Sequence, residues 1–236
     1  MNTYAHIFGE KRLIIFDIDG TMMDTVAIHM DVLLEAYQRN PATPHPDPKI
    51  LQRHLGKTST AYARDVFRDH GHANPTLNDI QSIIEYHRQK ATHPSFLEGK
   101  ESLFPGVREL LERLRQDGKE LAVISGNIRE TGEVLLQATG IISYFKYRVY
   151  ASDTYLGKPI RERHEMLRKV LEQVQKENRG LSPRDTLVIG DTMYDIEAAH
   201  QVGMEALAVG TGNTPLDELK THHPLFAAAT LRECLK

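Results

Sequence analysis

The chain alternates between short runs that are apolar at nearly every position and longer stretches in which apolar residues return at every third or fourth place. Leu13-Ile14-Ile15-Phe16, Leu121-Ala122-Val123-Ile124, Thr186-Leu187-Val188-Ile189 and Ala206 to Val209 are of the first kind, and Tyr147 to Ala151 reads similarly. Short continuous runs bounded by turn residues predict strands covered on both faces. Between them lie helical patterns. Val107, Leu110, Leu111 and Leu114 share one face before Gly118 ends the helix, and Ile128 to Ala138, Arg163 to Glu177 and Tyr194 to Val202 follow. Strands alternating with helices predict parallel pairing through right-handed crossovers, hence an α/β fold with a doubly wound parallel sheet. Thr214-Pro215-x-Asp217 predicts the cap of a further short helix, and Leu225 to Leu235 an edge strand and a terminal helix.

The segment 24–98 departs from this pattern, with apolar residues at helical spacing and no buried strand. Val26, Met30, Leu33, Leu34 and Tyr37 share one face; Pro41, Pro44, Pro46 and Pro48 then break the chain. Asp47-Pro48 predicts an amino-terminal cap with proline in the first turn of a short helix through Leu51 to Leu55. Ser59 to His70 predicts another helix closed by Gly71, and Thr76-x-x-Asp79 a capping box before Ile80, Ile83, Ile84 and His87. Strands flank this helical segment on both sides. The predicted division is therefore an α/β core of residues 1–23 and 99–236 with an inserted helical domain of residues 24–98.

A chain of 236 residues, 40% of them hydrophobic, can bury a sizeable core. The net charge of −3 supplies no broad basic field for nucleic acid. One cysteine, Cys234, excludes an internal disulfide framework, and its place in the last turn suits packing better than nucleophilic chemistry. No apolar run approaches bilayer length and no secretory layout opens the chain, so the expectation is a cytoplasmic protein without a membrane partner. His222-His223 lack the spacing that puts two ligands on one helical face, and a solvated loop is expected there.

Chemistry gathers where the predicted strands end. Asp17 and Asp19 close the first strand in Asp17-Ile18-Asp19-Gly20-Thr21, and two carboxylates at such a place repel unless a cation, most simply a metal ion, joins them. Ser125-Gly126-Asn127 ends the second strand just before a helix, where a hydroxyl and free backbone amides form an anion pocket. Lys158-Pro159 follows the third strand. Gly190-Asp191-Thr192-Met193-Tyr194-Asp195 ends the next and opens a helix.

In this order the four motifs resemble those of the haloacid dehalogenase (HAD) superfamily, and among its members the phosphoglycolate phosphatase-like enzymes with a small helical cap inserted after the first motif. The resemblance covers nearly the whole chain. It implies that Asp17 is a nucleophile forming an aspartyl-phosphate, that Asp19 is the general acid and base, and that Ser125 and the Gly126 amide hold phosphoryl oxygens. It implies further that Lys158 supplies a fixed positive charge, and that Mg²⁺ is held by Asp17, Asp191 and the backbone carbonyl of Asp19. Asp195, one turn beyond Asp191, is cast as an outer partner of Lys158 or of a metal-bound water. Presence of Asp19 favours phosphoryl transfer over cleavage of carbon–halogen or carbon–phosphorus bonds. Segment Arg53-His54-Leu55-Gly56-Lys57-Thr58-Ser59 resembles the cap loop lowered over the site, with Arg53 or Lys57 expected on the leaving group. The expected activity is a magnesium-dependent phosphatase for a small phosphorylated metabolite such as phosphoglycolate or a sugar phosphate. A phosphomutase of the same fold, β-phosphoglucomutase-like, and a non-catalytic binding protein are the alternatives.

Overall fold

A computed structural model describes residues 3–43, 45–93, 96 and 103–236. Its centre is a six-stranded sheet, parallel throughout, of β1 (Leu13–Phe16), β2 (Glu120–Ser125), β3 (Tyr147–Tyr150), β6 (Thr186–Gly190), β7 (Glu205–Val209) and β8 (Phe226–Ala228) in the order β3-β2-β1-β6-β7-β8. The chain builds outward from β1 through β2 and β3, then returns to the other side of β1 as β6. The strand order thus reverses between β1 and β6, and open α/β sheets place their ligands at such a point, beyond the carboxyl ends of the strands. Register brings those ends level, with Phe16 opposite Val123 on one side and Ile189 on the other.

Alternation within the apolar runs explains why both faces are covered. Ile14, Phe16, Leu121, Val123, Leu187 and Ile189 pack with α6 (Val107–Gln116), α7 (Arg129–Ala138) and the short α1 (Thr3–Phe8). Leu13, Ile15, Ala122, Ile124 and Val188 pack with α8 (Arg163–Glu177), α9 (Met193–Gln201) and α10 (Leu216–Lys220). Cys234 is buried in the first of these layers, and burial pushes its thiol up to about 12, as suits a packing residue. His222 Nδ1 lies 3.1 Å from Glu197 Oε1.

Between β1 and β2 the chain forms α2 (Val26–Gln38), α3 (Pro48–Arg53), α4 (Ser59–Asp69) and α5 (Leu77–Ala91). These share a third cluster, including Leu33, Tyr37, Leu51, Val66, Phe67, Ile80 and Ile83, that has no member in common with the two sheet layers. Asp47 accepts the Lys49 amide at 2.8 Å and Thr76 forms a reciprocal box with Asp79, as the sequence predicts. The segments leading into and out of the bundle run side by side, with Met23 bridging to Leu103 and the Phe104 amide donating to the Met22 carbonyl at 2.9 Å. No helix among the described residues is long and apolar enough to cross a membrane.

Four local features differ from the sequence expectation. The α1 helix is one, holding Tyr4, Ile7 and Phe8 against the sheet layer. The chain tail forms β8 and then a 3-10 turn, Leu231–Leu235, instead of an α-helix. Pro215, not Thr214, caps α10, its carbonyl accepting the Glu218 amide at 2.9 Å. Finally, Lys158-Pro159 is not a loop but β5 (Lys158–Pro159), paired antiparallel with β4 (Thr154–Tyr155). Leu156 (φ 51°) and Gly157 (φ 74°) make the two-residue turn, both left-handed as a tight hairpin requires.

Candidate active site

Asp17 follows β1 directly, its amide donating to the Ile189 carbonyl at 2.9 Å, and Asp191 follows β6. The two carboxylates therefore flank the reversal point. Asp195 joins them from the first turn of α9, where its Oδ2 closes a capping box with the Thr192 amide and hydroxyl at 3.1 and 2.7 Å. Such crowding needs clearance. A Cβ on Gly190 would lie 2.1 Å from the Asp195 Cγ, and one on Gly212 would lie 1.7 Å from an Asp191 carboxylate oxygen. Gly20, at φ +77°, turns the chain past Asp191 where a Cβ would sit 2.4 Å from it. Thr21 donates to Asp191 Oδ1 at 2.8 Å, and Thr211 fixes the turn through the Gly20 carbonyl at 2.6 Å.

The cation that answers these carboxylates is Arg163. Its Nη2 is in contact with Asp17 and lies 2.6 Å from Asp195 Oδ1, an ion-pair packing without an aligned hydrogen bond, while Nη1 donates to the Gly56 carbonyl at 2.6 Å. A capping box between Glu162 and Glu165 sets the start of α8 and so aims its first residue inward. Lys158 is not in the site. Its side chain is exposed on the β4–β5 hairpin and is absent from the lining of the cavity, because the Leu156-Gly157 turn carries it into solvent. The structure thus places Arg163, and not the expected Lys158, beside Asp17 and Asp195.

Asp19 has separate surroundings. Thr25 donates to its Oδ1 at 2.5 Å, His29 Nε2 lies 2.9 Å from the same oxygen, and Asn127 Nδ2 donates to Oδ2 at 2.6 Å. His29 Nδ1 is in turn 2.8 Å from His87 Nε2, the rings stacking at 4.9 Å, so a row of imidazoles runs from Asp19 into the bundle. None of Thr25, His29, His87 or Asn127 was singled out by sequence for this task. The signals were His87 at helical spacing on the apolar face of α5 and Asn127 in the turn after the second strand.

These environments push the carboxyls apart. Burial raises Asp17 well above the usual carboxylate range; Arg163 opposes this, and the charges of Asp195, Asp191 and Asp19 add to it. Burial and the Asp195 charge push Asp191 up to about 7 against the Thr21 hydroxyl and Arg163. Burial would raise Asp19 too, but His29 and the Thr25 hydroxyl outweigh it and hold Asp19 below its ordinary value. Burial and the charge of His29 push His87 down to about 3, leaving it neutral. Carboxylates with opposed shifts are the mark of divided acid–base roles.

Asp17, Asp191 and Asp195 each offer an oxygen within 4.8 Å of the others, a donor set of hard oxygens that fits a divalent cation. The carboxylate of Asp19 is turned away to its own donors and is not one of this group. Ser125 is fully buried at the end of β2 and its hydroxyl accepts the Asn127 amide at 3.1 Å; Gly126 lines the cavity. Loop 56–59 of the bundle sits on the core, with Thr58 donating to the Arg161 carbonyl at 2.6 Å and the Ser59 amide to the Gly126 carbonyl at 3.0 Å. Arg53 and Lys57 reach the cavity edge, paired with Asp69 at 3.2 Å and Asp65 at 2.8 Å.

The family model for haloacid dehalogenase-like hydrolase matches residues 14–209. The phosphoglycolate phosphatase of Synechococcus elongatus is 31% identical over 201 residues, covering 85% of this chain and 84% of that protein. Pyrophosphatase PpaX of Oceanobacillus iheyensis is 24% identical, covering 95% of each. The crystal structure of a hydrolase from Pseudomonas syringae superposes with a TM-score of 0.78 at 22% identity, over 95% of this chain and 96% of that one, a likeness of fold. With the family model spanning both strand-end carboxylate pairs, the chain belongs to the haloacid dehalogenase-like hydrolases, as a phosphatase among them.

Proposed function

We propose that this protein is a magnesium-dependent phosphatase that hydrolyses a small phosphorylated metabolite through an aspartyl-phosphate on Asp17. The observation that carries the reading is the separation of the two first-motif carboxylates: Asp17 meets Arg163 and the acidic group, while Asp19 is held by Thr25, His29 and Asn127. Asp17 attacks phosphorus as the bond to the ester oxygen breaks, and as the alcohol leaves Asp19 passes to that oxygen a proton drawn from His29 Nε2, 2.9 Å away. Asp19, now the carboxylate its donors favour, takes a proton from the water that cleaves the acyl phosphate and frees Asp17. Arg163 keeps Asp17 oriented and meets charge developing on the phosphoryl oxygens. Ser125 and the Gly126 amide are read as phosphoryl contacts at the end of β2.

Asp17 and Asp191, with the Asp19 backbone carbonyl, would hold magnesium, and Asp195 would stand one shell out while pairing with Arg163. When bound, the ion neutralises the nucleophile and the phosphoryl oxygens together. Residues 24–98 are read as the cap over this site and residues 1–23 and 99–236 as the core, in a cytoplasmic enzyme of small-molecule metabolism. The test is phosphate release from a panel of phosphate esters with magnesium or with chelator. Magnesium-dependent release that Asp17→Asn abolishes is expected. Release untouched by Asp17→Asn, or an isomeric product without free phosphate, overturns the reading.

A further inference from the structure

Resting on the phosphatase reading, we propose that the space under the bundle takes a phosphate monoester whose leaving group is uncharged and partly apolar, bearing an oxygen that accepts a hydrogen bond from Tyr62. A cavity of about 350 Å³ extends from Asp17 and Asp19 to the helices above them, within the size range of small-molecule sites. The apolar part of its upper wall is Val26, Leu33, Ile83 and Ile84, beside Tyr62, His29 and His87. These belong to α2, α4 and α5, so the leaving group, not the phosphoryl group, faces them. Apolar walls favour carbon and penalise an anion that no cation meets.

The cations at this end are committed elsewhere. Lys57 Nζ is held by Asp65 at 2.8 Å and by His54 Nδ1 at 2.9 Å. Arg53 pairs with Asp69 at 3.2 Å and keeps 65% of its side chain in solvent. Lys49 and Glu218, both exposed, stand at the cavity with opposite signs. The bundle's own carboxylates therefore answer Lys57 and Arg53, and a second anion on the substrate, such as the carboxylate of phosphoglycolate or the second phosphate of pyrophosphate, meets no buried cation free of a carboxylate there.

Tyr62 adds an independent observation. It lines the cavity at 6% exposure, and its hydroxyl is buried with no hydrogen-bond partner. Burial raises this phenol above its ordinary range, so it stays a neutral donor. An orphaned buried donor costs free energy until an acceptor meets it, and a site with such a donor discriminates for ligands that supply one.

The test is binding to the Asp17→Asn protein with magnesium, by titration calorimetry, of phosphoglycolate, pyrophosphate, butyl phosphate and 4-oxopentyl phosphate, beside turnover of the same compounds by the unaltered enzyme. Binding of butyl phosphate is expected to be about tenfold tighter than that of phosphoglycolate or pyrophosphate, and the ketone tighter still. Tyr62→Phe should shrink the advantage of the ketone over butyl phosphate by about fivefold or more. Ile84→Lys, which adds a cation to the half-buried wall, should shift the ratio toward phosphoglycolate by about tenfold. Phosphoglycolate or pyrophosphate binding as tightly as butyl phosphate, or more tightly, overturns the proposal. Binding in the expected order without turnover of any ester leaves the ligand preference of the cavity standing and overturns the phosphatase reading instead.

Discussion

Replacing Arg163 and Lys158 separately decides which basic residue serves the reaction. Arg163 is 6% exposed, in contact with Asp17 and 2.6 Å from Asp195, whereas Lys158 is exposed on a hairpin. In Arg163→Met, Asp17 and Asp195 lose their only contacting cation among the described residues. Loss of one preorganised electrostatic partner in an enclosed site typically costs about 10²–10³ in kcat, or roughly 2.7–4 kcal/mol. Removing one member of a buried ion pair also costs stability, typically about 3–5 kcal/mol. The cost here should lie at the low end, because Asp17 already has a raised proton affinity and can discharge by taking up a proton. Arg163→Lys should recover only part of the rate, since an ammonium is a point charge and cannot reach Asp17, Asp195 and the Gly56 carbonyl with one planar fork. Lys158→Met should change kcat by no more than about twofold, as exposed substitutions stay within about 0.5 kcal/mol. Steady-state release of phosphate at saturating magnesium and substrate measures all three, with the thermal midpoint as the control for folding. A hundredfold loss in Lys158→Met beside a near-normal Arg163→Met would refute the placement of the charge.

His29→Ala should lower kcat by about 10- to 100-fold with little change in KM, since it strips Asp19 of an orienting donor without touching the phosphoryl pocket; a parallel rise in KM would place His29 in substrate binding. In chelator, stability should fall as pH rises from about 4 to about 7, because the folded protein holds the Asp191 proton up to about 7 while the unfolded chain releases it near the ordinary carboxylate value. That span of about three units corresponds to at most about 4 kcal/mol, and the stabilisation added by magnesium should accordingly be larger at pH 8 than at pH 5; denaturant midpoints across pH that rise instead would contradict the burial of a protonated Asp191. Gly212→Ala puts a Cβ 1.7 Å from an Asp191 oxygen and should weaken magnesium binding by about tenfold or more in calorimetry, an effect absent for Gly140→Ala, where nothing lies within 4 Å.

Most of the fold was legible because burial on both faces leaves a continuous apolar run. Ile14 and Phe16 serve one layer while Leu13 and Ile15 serve the other, so no polar residue interrupts the strand. The bundle was legible for a different reason, since Asp47, Thr76 and the 3.6-residue repeat of α2, α4 and α5 are local signals of helices. Lys158 misled because what separates it from Arg163 is a turn the sequence does not advertise. Leucine is an unusual choice for a left-handed position, yet Leu156 takes one and folds Lys158 back into solvent. The inward aim of Arg163 rests on a capping box opened by glutamate, where serine or threonine is the recognisable cap.

The surroundings of Asp19 were illegible for a reason that bears on the mechanism. Its donors come from both bodies of the fold, Asn127 from the core and His29 from the bundle, with His29 steadied by His87, 58 residues further along the chain. No local pattern records a contact across such separations. The bundle therefore does more than cover the cavity. It supplies the imidazole that sets the orientation and ionisation of Asp19, while its loop carbonyl at Gly56 holds the guanidinium that faces Asp17. Seating helices α2 to α5 on the sheet completes the contacts of Asp19 directly and those of Asp17 through Gly56 and Arg163, so under the proposed mechanism seating the bundle and readying the proton-transfer group are one structural event.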